Sequence, residues 1–174
     1  MQERRAPGIA VIATKYGLVQ GVLAFIVFIV RTLTGSKHSW IAAAVDAALL
    51  IVLIVLAHRE FKKTHGGMMR YPQGLGSGTL LACIAAAVTC ILVYVYVKYI
   101  NAGYLEAATH ATRAALAQRG ISGAQAQQAM AISSAILTPI GVAITSLITG
   151  VIMGFIVALI VSIFTQRGDP SLVV

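Results

Sequence analysis

Long apolar runs alternate with short polar segments along this chain. A membrane-spanning helix needs about 20 mostly apolar residues, each adding about 1.5 Å of length. Four runs meet this requirement and predict spans at residues 16–33, 40–57, 79–99 and 140–164. The first run is longer than the usual 7 to 15 apolar residues of a signal peptide, so we expect it to be retained.

Composition supports the same class of protein. Of the 174 residues, 59% are hydrophobic and 10% are charged, whereas soluble domains carry about 25% charged residues. A soluble fold of this length could not bury so much apolar surface. We therefore expect an all-α integral membrane protein, a four-helix bundle in which residues 1–174 form a single membrane domain.

The connections between the spans differ in character. Residues 34–39 are a short polar turn, which predicts an antiparallel hairpin of the first two spans. Residues 58–78 are basic and then rich in glycine, which favours a cytoplasmic loop with a flexible approach to the third span.

The connection before the last span is predicted to contain an extracytoplasmic helical segment over residues 103–136. One face of its first helix is apolar or weakly polar, with residues at helical spacing: Leu105, Ala108, Thr109, Thr112 and Leu116. Glu106, His110 and Arg113 fall on another face. We expect this segment to lie against the bundle rather than to bind the membrane alone.

Local signals mark the ends of these helices. Gly120 is a natural stop for the first outer helix, and Ser122 with Gln125 has the spacing of a capping box for the second. Thr138 and Pro139 suit the N-cap and the first helical position of the last span.

The distribution of Lys and Arg predicts the orientation, because these residues resist translocation. With the N-terminus inside, eight of the 13 basic residues are cytoplasmic: Arg4, Arg5, Lys15, Arg59, Lys62, Lys63, Arg70 and Arg167. The other five are outside: Arg31, Lys37, Lys98, Arg113 and Arg119. Both termini are therefore expected in the cytoplasm.

The net charge of +8 has to be interpreted by position. Basic residues sit in short segments between apolar runs rather than on one basic face, which argues against nucleic acid as a partner. Four of them in the middle loop are expected to contact anionic lipid headgroups, at about 1 kcal/mol each: Arg59, Lys62, Lys63 and Arg70.

Asp46 is the acidic residue inside a predicted span. An ionised group near the centre of a spanning helix costs about 2.5 to 3.5 kcal/mol, so its side chain should face protein. Arg31, near the outer end of the antiparallel neighbour, is the candidate partner. A proton or cation site is one interpretation, and a structural pair or a protonated carboxyl bonded to a neighbouring helix is the other.

Small residues recur every four positions in two spans, a pattern that lets helix backbones approach closely. The rows are Gly17 and Gly21 in the first span, and Ser146, Gly150 and Gly154 in the last. Thr79, Cys83 and Ala87 extend the pattern to the third span. Packing within the bundle and an oligomer interface both explain these rows.

Other residues that often carry chemistry give no motif here. The four histidines fall outside or at the edges of the predicted spans and are interpreted as solvated: His38, His58, His65 and His110. Gly74, Gly76 and Gly78 lack the Lys-Ser or Lys-Thr that would complete a phosphate-binding loop. We therefore expect no catalytic residues, no metal site and no cofactor.

Six segments of the chain follow one another in an order that supports a family resemblance. They are Tyr71-Pro72-Gln73-Gly74-Leu75-Gly76-Ser77-Gly78, Tyr94-Val95-Tyr96-Val97-Lys98-Tyr99-Ile100, Asn101 to Glu106, Gly120-Ile121-Ser122, Thr138-Pro139, and Gly150 with Gly154. In this order the chain resembles a bacterial family of small four-span inner-membrane proteins defined only as a domain of unknown function. The resemblance covers nearly the whole chain and is strongest over residues 71–154. The chain departs from it at Asn101-Ala102, where a proline is expected.

The resemblance implies a bacterial inner-membrane protein and brings no catalytic residues. The first functional hypothesis is a non-enzymatic membrane subunit or scaffold that packs within or beside a larger inner-membrane complex. The expected partners are the lipid bilayer and, through the membrane helices, either another protein or further copies of this chain. The second is a small homo-oligomeric transporter or ion-coupled carrier that uses Asp46 and Arg31. An enzyme ranks third.

Overall fold

The computed structural model describes residues 8–34, 39–64, 67–101 and 103–166. Its helices are α1 (Ile9–Thr34), α2 (Ser39–Thr64), α3 (Tyr71–Val95), α4 (Tyr104–Gln118), α5 (Gly123–Ile136) and α6 (Pro139–Thr165). A π-helical turn, Tyr96–Ile100, continues α3. Four helices, α1, α2, α3 with this turn, and α6, are long and apolar enough to cross a membrane. The prediction of an all-α protein with four such helices is confirmed.

The spanning helices extend further than the apolar runs that predicted them. α1 starts at Ile9, α2 continues to Thr64, and α3 already begins at Tyr71. Most of the predicted middle loop is therefore helical. Lys, Arg and Glu are good helix formers, so a helix can continue beyond its apolar stretch wherever the backbone stays hydrogen-bonded. The glycine-rich segment is held in a helix because Gly74 and Gly78 pack against α6.

Two of the predicted helix signals are present and one is not. Thr138 Oγ1 accepts a hydrogen bond from the backbone N–H of Gly141 at 3.0 Å, as an N-cap does. Gly120 follows α4 with a φ of +71°, a conformation that glycine adopts without steric cost. Ser122 precedes α5, but its side chain makes no capping hydrogen bond, so the predicted capping box is wrong.

The chain groups into two compact units. The first contains α1, α2, the larger part of α3 up to Thr89, and α6 from Thr149 onwards. Its core is apolar and draws on all four of these helices: Ile12, Ala13, Leu50, Ile54, Ala57, Phe61, Met69, Leu81, Val157, Ala158 and Val161.

The second unit runs from Cys90 to Ile148 and contains α4 and α5, which contact each other. The predicted faces of α4 agree with its exposure. Each of the five residues named for the less polar face is half-buried, while Glu106, His110 and Arg113 are exposed. At the end of α3, Asn101 donates from its backbone N–H to the Tyr96 carbonyl at 2.9 Å, which closes the π-helical turn.

Several residues with a predicted role lie outside the described residues. They are Arg4, Arg5, Lys37, His38, His65, Ala102 and Arg167.

Candidate functional site

Small residues bring α3 and α6 together at four successive levels. The pairs are Gly74 with Ser162, Gly78 with Ala158, Ala82 with Gly154, and Ala86 with Gly150. Both rows have a spacing of four residues and run in opposite directions, so each helix presents one ridge of small side chains to the other. We call these eight residues the α3–α6 zipper.

Distances within the zipper show how close the two backbones are. A Cβ atom added to Gly78 would lie 2.9 Å from Ala158 Cβ, and one added to Gly150 would lie 3.0 Å from Ala86 Cβ. Close approach of this kind gives the van der Waals contact that holds helices together in lipid, where a hydrophobic driving force is absent.

The glycines of α1 use the neighbouring side of α3. A Cβ at Gly17 would lie 2.9 Å from Ile84 Cβ, and one at Gly21 would lie 2.6 Å from Val88 Cβ. Thr89 adds a polar link, because its hydroxyl oxygen lies 3.0 Å from the Gly21 carbonyl oxygen. Gly17, Gly21, Gly150 and Gly154 therefore all lie against α3 of the same chain.

The row predicted on α3 is not the row that lies against α6 in the zipper. Ala87 is exposed and Cys83 is half-buried, whereas Ala82 and Ala86 are the buried zipper positions. Ser146 bonds back to the Ala143 carbonyl of its own helix at 2.7 Å. Sequence spacing allows more than one row of small residues on α3, and the position of α6 selects the row that contains Ala82 and Ala86.

His58 is buried, with only 1% of its surface exposed, so the prediction of a solvated histidine is wrong for this residue. Its Nε2 lies 3.0 Å from the Gly74 carbonyl oxygen of α3, and its Nδ1 lies 2.7 Å from Thr165 Oγ1 of α6. One side chain of α2 thus connects three helices. The apolar face of α2 includes Ala57 and Phe61, and following its helical period past Ala57 would have placed His58 on the buried side.

The hydrogen-bond partners of His58 are compatible with both the neutral and the charged imidazole. The Gly74 carbonyl can only accept, so Nε2 donates to it. Thr165 Oγ1 lies 2.8 Å from the Val161 carbonyl, so its single proton can point there or toward Nδ1. Neutral imidazole accepts that proton, and imidazolium donates to the hydroxyl oxygen instead. Both charge states fit the same heavy-atom positions after rotation of one hydroxyl.

Lys62 lies one helical turn beyond His58 and completes this contact. Its Nζ donates to the Thr165 carbonyl at the end of α6. A cation at this position satisfies a carbonyl that lacks a partner within its own helix and complements the helix dipole. His58 and Lys62 together hold the side chain and the main chain of Thr165, and we call these three residues the α2–α6 clamp.

The other predicted lipid-contacting cations differ from Lys62. Arg59, Lys63 and Arg70 are all exposed. Lys62 is half-buried and engaged with α6. Three of the four positions are therefore accessible for anionic headgroups, and the fourth serves a contact between helices.

Glu60 links α1 to α2. Its carboxylate accepts a hydrogen bond from the Tyr16 hydroxyl at 2.6 Å and lies 3.0 Å from Lys15 Nζ. Within the part of the chain that the structure describes, this is the one ion pair. Sequence spacing does not predict this contact, because the partners lie 45 residues apart.

Asp46 contacts Gln20 rather than Arg31. The Gln20 side-chain amide donates to Asp46 Oδ1 at 3.2 Å, and Gln20 is itself almost completely buried. Arg31 lies 11 residues further along α1, about 16 Å beyond Gln20 along the helix axis, which is too far for its guanidinium to share this contact. The packing of α1 against α2 therefore replaces the predicted charge pair with an amide–carboxylate pair.

Three buried polar atoms lack a hydrogen-bond partner among the described residues: Gln20 Oε1, Thr79 Oγ1 and Ser162 Oγ. Ser162 belongs to the zipper, and its hydroxyl and the His58 ring both lie beside Gly74. No group of three or more His, Cys, Asp or Glu side chains that could hold a metal ion occurs in the described ranges.

The chain is similar to a known protein family. The DUF4199 family, described as a protein of unknown function, matches residues 15–167. No curated protein and no solved structure gives a significant match. The matched region includes the zipper, the α2–α6 clamp and the Asp46–Gln20 pair. On this match the chain belongs to the DUF4199 family of proteins of unknown function.

Proposed function

We propose that this protein is a non-enzymatic membrane subunit or scaffold of a bacterial inner membrane, with both termini in the cytoplasm, that packs within or beside a larger complex. The observation that carries the proposal is that polar side chains of the first compact unit form hydrogen bonds between its helices. His58 connects three helices, Glu60 and Asp46 each connect α1 to α2, and Thr89 connects α3 to α1.

This arrangement suits a rigid support. Each contact fixes the position of one helix against another, and the zipper removes the space in which α3 and α6 could slide. A scaffold needs one fixed conformation, whereas a carrier has to alternate between two conformations. The glycine rows serve contacts within the chain, so a partner would be met by the other, aliphatic faces of the helices.

Extraction in a mild detergent followed by native mass analysis tests this proposal. We expect the protein in a particle that contains a different subunit at fixed stoichiometry. His58→Ala should reduce the yield of that particle by loosening the α2–α6 clamp, and His110→Ala, at an exposed histidine of α4, should not. Recovery of this chain alone, or equal assembly of both variants, would contradict the proposal.

A second function, an ion-coupled carrier, is favoured by one contact. The Asp46 carboxylate meets Gln20, whose own amide oxygen is buried without a partner. A carboxylate and an amide oxygen are the hard ligands that a proton or a small cation would use. With Arg31 placed elsewhere, this alternative rests on Asp46 and Gln20.

Proteoliposomes with an imposed pH or sodium gradient separate the two functions. A carrier would dissipate the gradient, and Asp46→Asn would abolish that flux while Glu106→Gln, at an exposed carboxylate on α4, would not. The scaffold proposal expects no flux from the unmodified protein.

A further inference from the structure

An apolar groove of about 380 Å³ lies between the end of α1 and the start of α2. Its lining combines two helix faces: Ile26, Val27, Val30, Arg31 and Thr34 of α1, with Ile41, Ala42 and Val45 of α2. The volume falls within the range of about 300–1,000 Å³ that is usual for small-molecule sites. The groove is independent of the scaffold function proposed above.

The groove exists because the core of the first unit ends before it. Residues of α1 and α2 in that core lie at the opposite end of the hairpin, at positions 12–13 and 50–61. Toward the groove the aliphatic side chains are only partly covered, and Ile26, Val30 and Val45 are each about half exposed. The small side chain of Ala42 leaves the space between them open.

The apolar lining of the groove suits a hydrocarbon chain of the bilayer better than water. Apolar cavities do not hold water stably, because a water molecule needs two to four polar partners. Apart from Arg31, the groove offers only the Thr34 hydroxyl, which already bonds to the Val30 carbonyl at 2.8 Å. A hydrocarbon chain is therefore the chemically matched occupant.

Arg31 adds a charge requirement to this groove. It lies in the last turn of α1, is exposed, and makes no hydrogen bond or ion pair with any described residue. A guanidinium binds phosphate through two parallel hydrogen bonds and attracts anionic lipid at a membrane surface. The first turn of α2, whose residues Ile41 and Ala42 line the same groove, adds the positive end of a helix dipole.

We propose that this groove binds one anionic glycerophospholipid, with an acyl chain between α1 and α2 and the phosphate on Arg31. The charge selects an anionic over a zwitterionic headgroup, and the aliphatic walls require an attached chain. Free phosphate or glycerol phosphate has the charge without the chain and would not occupy the site.

Trp40, the single tryptophan of the chain, reports on this groove because it adjoins Ile41. The protein is reconstituted in phosphatidylcholine vesicles that contain a small fraction of phosphatidylglycerol with brominated acyl chains, which quench tryptophan on contact. A second sample carries the bromine on an equal fraction of phosphatidylcholine. We expect stronger quenching by the brominated phosphatidylglycerol, with a relative association constant about fivefold higher.

Two variants test the two halves of the site. Arg31→Gln should reduce the relative association constant to about one, and Arg113→Gln, at an exposed arginine of α4, should leave it unchanged. Ala42→Phe fills the groove and should also remove the preference while Arg31 is retained. Circular dichroism of each variant checks that it is folded. If Ala42→Phe does not fold, the comparison of Arg31→Gln with Arg113→Gln alone tests the proposal.

Several outcomes would overturn the proposal. These are equal quenching by the two brominated lipids, an equal loss in Arg31→Gln and Arg113→Gln, or full preference in a folded Ala42→Phe variant. Competition by soluble glycerol phosphate would show that the chain is not needed. Cross-linking of Cys-substituted Val45 to the same position of a second copy would show that protein covers the groove instead.

Discussion

Gly154 of α6 lies so close to Ala82 of α3 that a methyl group on the glycine would overlap the alanine side chain. The contact belongs to a row of four pairs, each made of two small residues, that runs along both helices. These residues set the separation of α3 and α6. Hydrogen bonds of His58 then connect α2 to both helices, and a hydrogen bond of Thr89 connects α3 to α1.

Gly154→Ala should destabilise the protein by about 1–3 kcal/mol, because α3 and α6 must separate to admit the methyl group. Gly76→Ala is the matched control: it lies in α3, and a Cβ there has open space. Alanine at that position should leave stability unchanged or raise it by up to about 1 kcal/mol through helix propensity. Unfolding in mixed detergent micelles measures both, and a neutral Gly154→Ala would contradict the zipper.

His58→Ala should lower the free energy of unfolding by about 2–4 kcal/mol, since it leaves a cavity and removes hydrogen bonds to both α3 and α6. His110→Ala should change it by less than about 0.5 kcal/mol, as expected for an exposed position. The same micelle titration measures the two variants side by side. Similar values for both would mean that the α2–α6 clamp carries no stability.

Gln20 and Asp46 should show strong coupling in a double-mutant cycle. Gln20→Leu leaves a carboxylate facing an apolar neighbour, and Asp46→Leu leaves a buried amide unpaired, so each single change is destabilising. The double variant replaces both polar groups and should be less destabilised than the sum of the single variants, by about 1–2 kcal/mol. Additive effects would show that the 3.2 Å contact is energetically silent.

Tyr16→Phe should destabilise the α1–α2 contact more than Lys15→Met. The Tyr16 hydroxyl donates a short hydrogen bond to Glu60 from a half-buried position, whereas the Lys15 side chain is exposed and its ion pair is screened by salt. We expect the effect of Lys15→Met to decrease between low and high ionic strength and that of Tyr16→Phe to persist. Unfolding at two salt concentrations provides the comparison, and the reverse ranking would refute it.

Several features of the fold could be predicted because they depend on neighbours in the sequence. Apolar length alone identified four spanning helices, since lipid requires about 20 apolar residues in each. The faces of α4, the stop at Gly120 and the N-cap at Thr138 followed from helical spacing and backbone chemistry. The ends of α2 and α3 did not, because polar and glycine-rich residues look like a loop until packing holds them in a helix.

The contacts of individual side chains needed the tertiary structure. Asp46 could be identified as a buried carboxylate from its place in an apolar run, but its partner depends on how α1 lies against α2, which selects Gln20 over Arg31. His58 looked solvated because its sequence neighbours are charged, and it is buried because Gly74 and Thr165 arrive from α3 and α6.

The sequence is therefore sufficient to identify a four-span helical membrane protein and the residues that are small enough for helices to meet. The tertiary structure was needed to show that the rows on α3 and α6 meet each other, and which polar groups each helix brings within hydrogen-bonding distance. The physical reason is that membrane spans are defined by local hydrophobicity, whereas helix pairing depends on the shapes and donors of residues far apart in the chain.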